Sequence, residues 1–255
     1  MLRIWKYFLF FFACLVFALL FNLPLQNVLP HVKLPDTIRV AGVDGTLIKG
    51  SATEVTIDDF PIRALDYRYM PSCIPLLKIC YRIRYNRGDL QVAYDLLQGD
   101  TEVARTYINY EAAELMAHLP NTLVQPVGQL ELVIDELSLI DGKPDTLNGS
   151  LIWHNFGLDD DGIKINIGDY RLDFTGNPRQ YEFKLSDLDA SLEVDGEGEV
   201  RADGRYDVNI RITSETRIDS QVKYVLDLVA RNTGYNKYRF EQQGRLPPNI
   251  TRQLF

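Results

Sequence analysis

Ile163-Lys-Ile-Asn-Ile-Gly-Asp-Tyr-Arg-Leu-Asp-Phe-Thr175 is the stretch that decides the fold. Ile163, Ile165 and Ile167 alternate with Lys164 and Asn166, and beyond Gly168-Asp169 the residues Tyr170, Leu172 and Phe174 alternate with Arg171, Asp173 and Thr175. Side chains along a strand point to opposite faces in turn, so a period of two writes one apolar and one polar face into the same element. Taking Gly168-Asp169 as a two-residue turn makes the stretch a β-hairpin. The pattern returns in Leu188, Ala190, Leu192 and Val194, with turns expected at Asp195-Gly196 and Asp203-Gly204 and with Val200, Ala202, Tyr206, Val208, Ile210 and Ile212 completing the series. Consecutive hairpins of this kind predict an antiparallel, amphipathic sheet.

Strands are also expected from Ile38 to Val43, Glu54 to Ile57, Ile79 to Tyr85, Leu90 to Tyr94, Val103 to Ile108 and Leu130 to Ile134. Two stretches depart from the period. Asn109 to Leu119, with Ala112, Ala113, Leu115 and Met116, reads as a short helix. Ile218, Val222, Val225, Leu226 and Val229 recur at helical spacing behind a capping Asp219 or Ser220, with Gly234 as a stop. Each helix is expected to pack on the apolar face of the sheet.

Ahead of this β-rich part, Tyr7 to Leu25 carries no charged side chain, and Arg3 and Lys6 precede it. Nineteen residues of helix span about 28 Å, close to the ~30 Å hydrocarbon core of a bilayer. The rival reading is a cleaved signal peptide, but Phe17-Ala18-Leu19-Leu20-Phe21 lacks the small-residue cleavage site. The expected organisation is therefore a cytoplasmic head over 1–6, a transmembrane anchor over 7–25 and a β-rich domain over 26–255. Arg3 and Lys6 set the topology by the positive-inside bias, and in a bacterium the far side is the periplasm. Cys14 lies in the anchor, leaving Cys73 and Cys80 beyond it. An even pair in an oxidising compartment suits a disulfide, with two buried free thiols as the alternative.

The chain carries a net charge of −8, which disfavours nucleic acid and anionic lipid surfaces as general partners. No catalytic constellation stands out. His31, His118 and His154 have neither a G-x-S-x-G serine nor an H-E-x-x-H partner. Asp159-Asp160-Asp161-Gly162 puts glycines where a calcium loop needs its first and last acids, so it reads as a tight acidic turn. Two cysteines without a nearby histidine do not make a closed zinc site. The one locally basic region interleaves Tyr67, Tyr69, Tyr81 and Tyr85 with Arg68, Arg82, Arg84 and Arg87. A cation–π ladder, a partner surface centred on Tyr81, Arg82, Arg84 and Tyr85, and an ordinary solvated face all fit that spacing.

Taken in order, several segments resemble the type II secretion system protein N family. They are Val43-Asp-Gly45-Thr-Leu47-Ile-Lys-Gly50-Ser-Ala52, Tyr67-Arg-Tyr69-Met-Pro71, Gly128-Gln-Leu130-Glu-Leu132 leading to Gly149-Ser-Leu151-Ile-Trp153, Asp203-Gly204-Arg205-Tyr206, and Glu241-Gln-Gln-Gly244-Arg-Leu246-Pro247. The family often has Trp where this chain has Ile48, Tyr67 or Tyr69. The segments read above together predict a mainly β fold, with an N-terminal transmembrane helix followed by an extended, curved antiparallel, amphipathic sheet and two short helices. The resemblance implies no enzyme activity and no cofactor. It also implies an accessory role in protein export at the bacterial inner membrane, beside the other platform proteins and the outer-membrane secretin. A second, more distant similarity is to bacterial proteins whose amphipathic sheets curl into lipid-carrying grooves, which makes lipid the alternative ligand.

Overall fold

Alternating sequences become strands here because each pairs its backbone with a neighbour while turning one face of side chains inward. The computed structural model of the chain describes residues 7, 11, 12, 15, 22–31, 38–57, 60–116, 125–160, 163–247 and 251. The protein is mainly β, antiparallel, with few short helices. It divides into two compact units, Met1–Ala93 and Tyr94–Phe255.

In the first unit α1 (Leu25–Val28) and a single 3-10 turn (Leu29–His31) precede β1 (Ile38–Gly45), β2 (Lys49–Ile57), β3 (Phe60–Tyr69), β4 (Lys78–Tyr85) and most of β5 (Gly88–Asp95). These strands lie side by side in chain order. Pro24 forms an antiparallel bridge with Thr46 in the β1–β2 turn. The expected anchor at 7–25, with Arg3 and Lys6, falls largely outside the described residues. Tyr7, Phe11, Phe12 and Leu15 are helical and exposed. No helix among the described residues is long and apolar enough to cross a membrane.

The second unit contains β6 (Thr101–Glu111), α2 (Ala112–Met116), β7 (Gln125–Ile140), β8 (Lys143–Asp160), β9 (Ile163–Asn177), β10 (Gln180–Ala190), β11 (Glu193–Arg201), β12 (Arg205–Thr213), α3 (Ser220–Val229), β13 (Arg231–Gly234) and β14 (Lys237–Arg245). Strands β6 to β12 are again in chain order, then β14, with the short β13 outside it.

The deciding stretch is one strand, not a hairpin: β9 runs unbroken from Ile163 to Asn177. Gly168, at φ +137°, is a bulge that shifts the side-chain phase by one, so Ile167 and Tyr170 share a face. A two-residue turn produces the same shift, which is why the two cannot be told apart by alternation. The chain actually reverses at Asn177, whose Oδ1 accepts from the backbone N–H of Arg179 at 2.9 Å and of Gln180 at 3.2 Å. Asp195-Gly196 is likewise inside β11 rather than in a turn, and the reversal falls between Ala190 and Glu193. The Asp203-Gly204 turn is present, with Gly204 at φ +81°. Asn109 to Glu111 continue β6, so the first expected helix shrinks to α2; 117–119 lie outside the described residues.

Irregularities recur at one level across four strands: between Val127 and Gln129 in β7, Trp153 and Phe156 in β8, at Gly168 in β9, and between Asp187 and Asp189 in β10. Leu188, the extra residue in β10, is 52 % exposed, whereas Leu192 is 6 % exposed. Asp169 fastens this line. Its Oδ1 accepts from the Asn155 backbone N–H at 2.7 Å and its Oδ2 lies 3.0 Å from His154 Nδ1. Trp153 Nε1 donates to the Val127 carbonyl at 3.1 Å.

Helix α3 covers the face that the bulges expose. Asp219 caps it by accepting from the Gln221 N–H at 2.8 Å. Val222 and Leu226 are buried with Ile167, Leu192, Ile218 and Tyr238, and each such apolar side chain contributes roughly 1.5–3 kcal/mol. The helix ends at Val229, well before Gly234, because Ala230 turns extended and the chain enters β13.

Five glycines sit directly opposite an aromatic residue on the next strand: Gly50 with Tyr67, Gly149 with Phe174, Gly176 with Tyr181, Gly198 with Phe183 and Gly244 with Tyr206. In each pair a Cβ on the glycine would collide with the ring. Each ring occupies the space that a side chain on the glycine would fill, so a shifted register would strand it against a side chain.

Gly168→Ala tests the bulge. A Cβ there would overlap the Ala190 backbone at a left-handed φ, so the substitution is expected to cost at least ~2 kcal/mol in urea unfolding. A wild-type midpoint would contradict the assignment.

Candidate functional site

The β1–β2 turn of the first unit is held by three tyrosines through three successive carbonyls. Tyr67 OH donates to the Thr46 carbonyl at 2.5 Å, Tyr81 OH to that of Leu47 at 3.0 Å, and the Tyr69 backbone N–H to that of Ile48 at 2.7 Å. The rings meet edge-on, with centroids 6.2 Å apart for Tyr67 and Tyr81 and 5.7 Å for Tyr69 and Tyr81. Burial raises the Tyr67 and Tyr81 pKa values above the ordinary phenol range.

The neighbouring arginines face the other way. Strand alternation puts Tyr81 and Tyr85 on one side of β4 and Arg82 and Arg84 on the opposite side, so the four do not form a cation–π ladder. Register instead lines up Lys49, Arg68 and Arg82 in one row, and Asp44, Ser51, Asp66 and Arg84 in the next. Together they line an open cleft of about 560 Å³. Arg82 Nε is buried there without a hydrogen-bond partner, a cost that an acceptor from a partner would relieve.

Cys73 and Cys80 are joined as a disulfide, with Cα atoms 6.0 Å apart. The bridge closes the β3–β4 loop, a 3-10 turn over Pro71–Leu76 followed by Leu77 at φ 55°. The Met70 N–H donates to the Cys80 carbonyl at 2.8 Å. Ile74, Leu76 and Leu77 stand out from this closed loop, 55, 66 and 50 % exposed.

The second unit offers two different surfaces. Between α3 and the sheet is an open cavity of about 370 Å³ whose walls include Trp153, Phe156, Tyr170, Leu185, Ile210 and Val225. Across β9 to β12, Asp173, Glu182, Glu197, Glu199 and Asp207 border a polar cleft that has Lys184 as its cation. The whole-chain charge conceals this contrast: Met1–Ala93 has 11 Lys+Arg against 7 Asp+Glu, and Tyr94–Phe255 has 16 against 28. Counting charge by halves of the sequence would have found it.

The histidines are tied locally. His154 lies between Asp169 and Glu131, 3.7 Å from the latter, and His31 Nδ1 is 3.1 Å from the Asn27 carbonyl oxygen; His118 lies outside the described residues. Among the described residues no three metal-ligating side chains stand together. Asp160 closes β8, while Asp161 and Gly162 lie outside the described residues.

Residues 36–241 match the family described as type II secretion system (T2SS), protein N. The chain belongs to that family. It is 25 % identical over 250 residues to the type II secretion system protein N of Vibrio cholerae serotype O1, covering 94 % of this chain and 98 % of that one. No solved structure matches it. Several of the family-like segments named above build architecture. Gly45 and Gly50 close the β1–β2 turn under Tyr67, Gly128 and Trp153 form part of the bulge line, and Gly244 receives the Tyr206 ring.

Opening the Cys73–Cys80 bridge, by reduction or by Cys73→Ala with Cys80→Ala, should lower stability by ~2.5 kcal/mol from loop-closure entropy alone. Urea melts of the two forms measure it, and coincident curves would refute it. Asp169 gives a pH signature. The Asn155 N–H, then His154, hold its pKa below the usual carboxylate value. The stabilisation is complete above ~4, the unfolded value, and is lost as pH falls through the lower folded value. Asp169→Asn should therefore reduce stability at neutral pH and flatten the acid-side decline in a pH series of thermal melts.

Proposed function

We propose that this family member is an accessory of the type II secretion system at the bacterial inner membrane, acting through protein contacts rather than catalysis. The family match along 36–241 carries this reading. Residues 7–25 serve as the single-pass anchor, with 1–6 in the cytoplasm and 26–255 in the periplasm. Arg3 and Lys6 ahead of the apolar run support that orientation, as do the exposed, helical Tyr7, Phe11, Phe12 and Leu15. The partners are the other inner-membrane platform proteins and the secretin. Of the surface Tyr81, Arg82, Arg84 and Tyr85, the arginine side is the better contact, since Arg82 and Arg84 join Lys49 and Arg68 in an open cleft while Tyr81 is committed to the β1–β2 turn.

Arg82→Glu with Arg84→Glu should leave the protein folded, as circular dichroism would show, and lower secretion several-fold, with loss of crosslinks to platform proteins in intact cells. Normal secretion would sink the contact role. An inactive alkaline phosphatase fused after Phe255 would sink the topology.

A second reading has one specific support, the apolar cavity beneath α3. An acyl chain would fit its chemistry, which makes a lipid-binding groove the alternative. Stoichiometric phospholipid in mass spectra of the purified protein would favour it.

A further inference from the structure

We infer that one end of the first unit, the β1–β2 turn together with the disulfide loop, seats in the interfacial layer of the bilayer. The inference rests on the reading that 7–25 spans the membrane. Pro24 is the next-to-last residue of the apolar run and it bridges Thr46, so the end of the run is fastened to the β1–β2 turn rather than joined to it by a tether. Antiparallel pairing brings the β3–β4 loop to the same end, as the hydrogen bond from the Tyr69 N–H to the Ile48 carbonyl requires. A surface held within a residue of a bilayer-spanning segment meets headgroups.

The side chains displayed there match that environment. Ile48, Ile74, Leu76 and Leu77 are exposed large hydrophobic residues at this one end, a grouping that a wholly water-facing surface avoids. The disulfide holds three of them in place, so little conformational entropy is lost on insertion. Charge agrees: from Tyr67 to Gly88 there are five basic side chains, Arg68, Lys78, Arg82, Arg84 and Arg87, and no acidic one. Lys49, Arg68 and Arg82 lie in one row behind the apolar tip, where they face lipid phosphates if the tip enters the interface. The acidic balance of the whole chain does not oppose this, because the excess of acid belongs to the second unit.

The full-length protein is placed in nanodiscs of phosphatidylethanolamine and phosphatidylglycerol with acyl chains brominated close to the headgroup. An environment-sensitive fluorescent amino acid replaces Leu76 in one variant. In a control it replaces Ile57, exposed at the far end of β2 and roughly 27 Å from Lys49. At least twofold quenching by brominated lipid is expected at position 76 and none at position 57. Incorporation into nanodiscs with position 76 unquenched would overturn the seating while leaving the anchor intact. Protein that fails to co-elute with nanodiscs would overturn the anchor and the seating together.

Discussion

The carboxylate of Asp169 bonded to the backbone of β8 is the constraint on which the second unit depends. Without it the residues His154 and Asn155 would have no reason to stay out of the β8–β9 ladder opposite Asp169. With it, the phase of each long strand slips at the same level, and Trp153, Phe156 and Tyr170 come together edge-on, at centroid distances of 4.6 and 5.7 Å. That aromatic cluster, with Ile167 and Leu192, is the floor on which α3 rests. Burial pushes the Tyr170 hydroxyl far above the ordinary phenol range, and the hydroxyl donates to the Leu192 carbonyl at 3.0 Å, tying the β10–β11 reversal to the same floor.

Much of this was legible. Alternation located the strands, and the helical spacing of Val222 and Leu226 behind Asp219 located α3 and its buried face. The turns were less legible, for reasons visible in single residues. Glycine marks both reversals and places where a neighbouring group needs room, and Gly168 and Gly196 are of the second kind. At Asp195-Gly196 a warning was available: a two-residue turn would have put Val194 and Glu197 on one face, yet the apolar residues stay on even positions through Val200. At Gly168-Asp169 there was none, since bulge and turn shift the phase alike. The basic patch shows the converse limit. Tyr81, Arg82, Arg84 and Tyr85 are neighbours in sequence and are divided between two faces by the pleat, so contiguity alone misjudged what they present together.

Charge and rigidity are distributed unevenly between the two units. The first joins basic side chains to a disulfide-closed loop with apolar residues at its tip, and the second carries an acidic polar face beside an apolar cavity. The contact role proposed above draws on such distinct surfaces. The local ties of His154 fit that role, its neighbours being the carboxylates of Glu131 and Asp169.

Within each unit nearly every strand pairs with the strand that precedes it in the chain, the exception being β13, which is kept from β12 by β14 entering between them. A polypeptide synthesised from its N-terminus delivers its segments in the same sequence. Most arriving strands then find their partner's edge already formed, and in five of the pairs a glycine or a ring is waiting to fix the register. Long-range searches and their loop-closure costs are avoided. Growth would proceed as a zipper closes, tooth by tooth, and the late insertion of β14 would act as its catch.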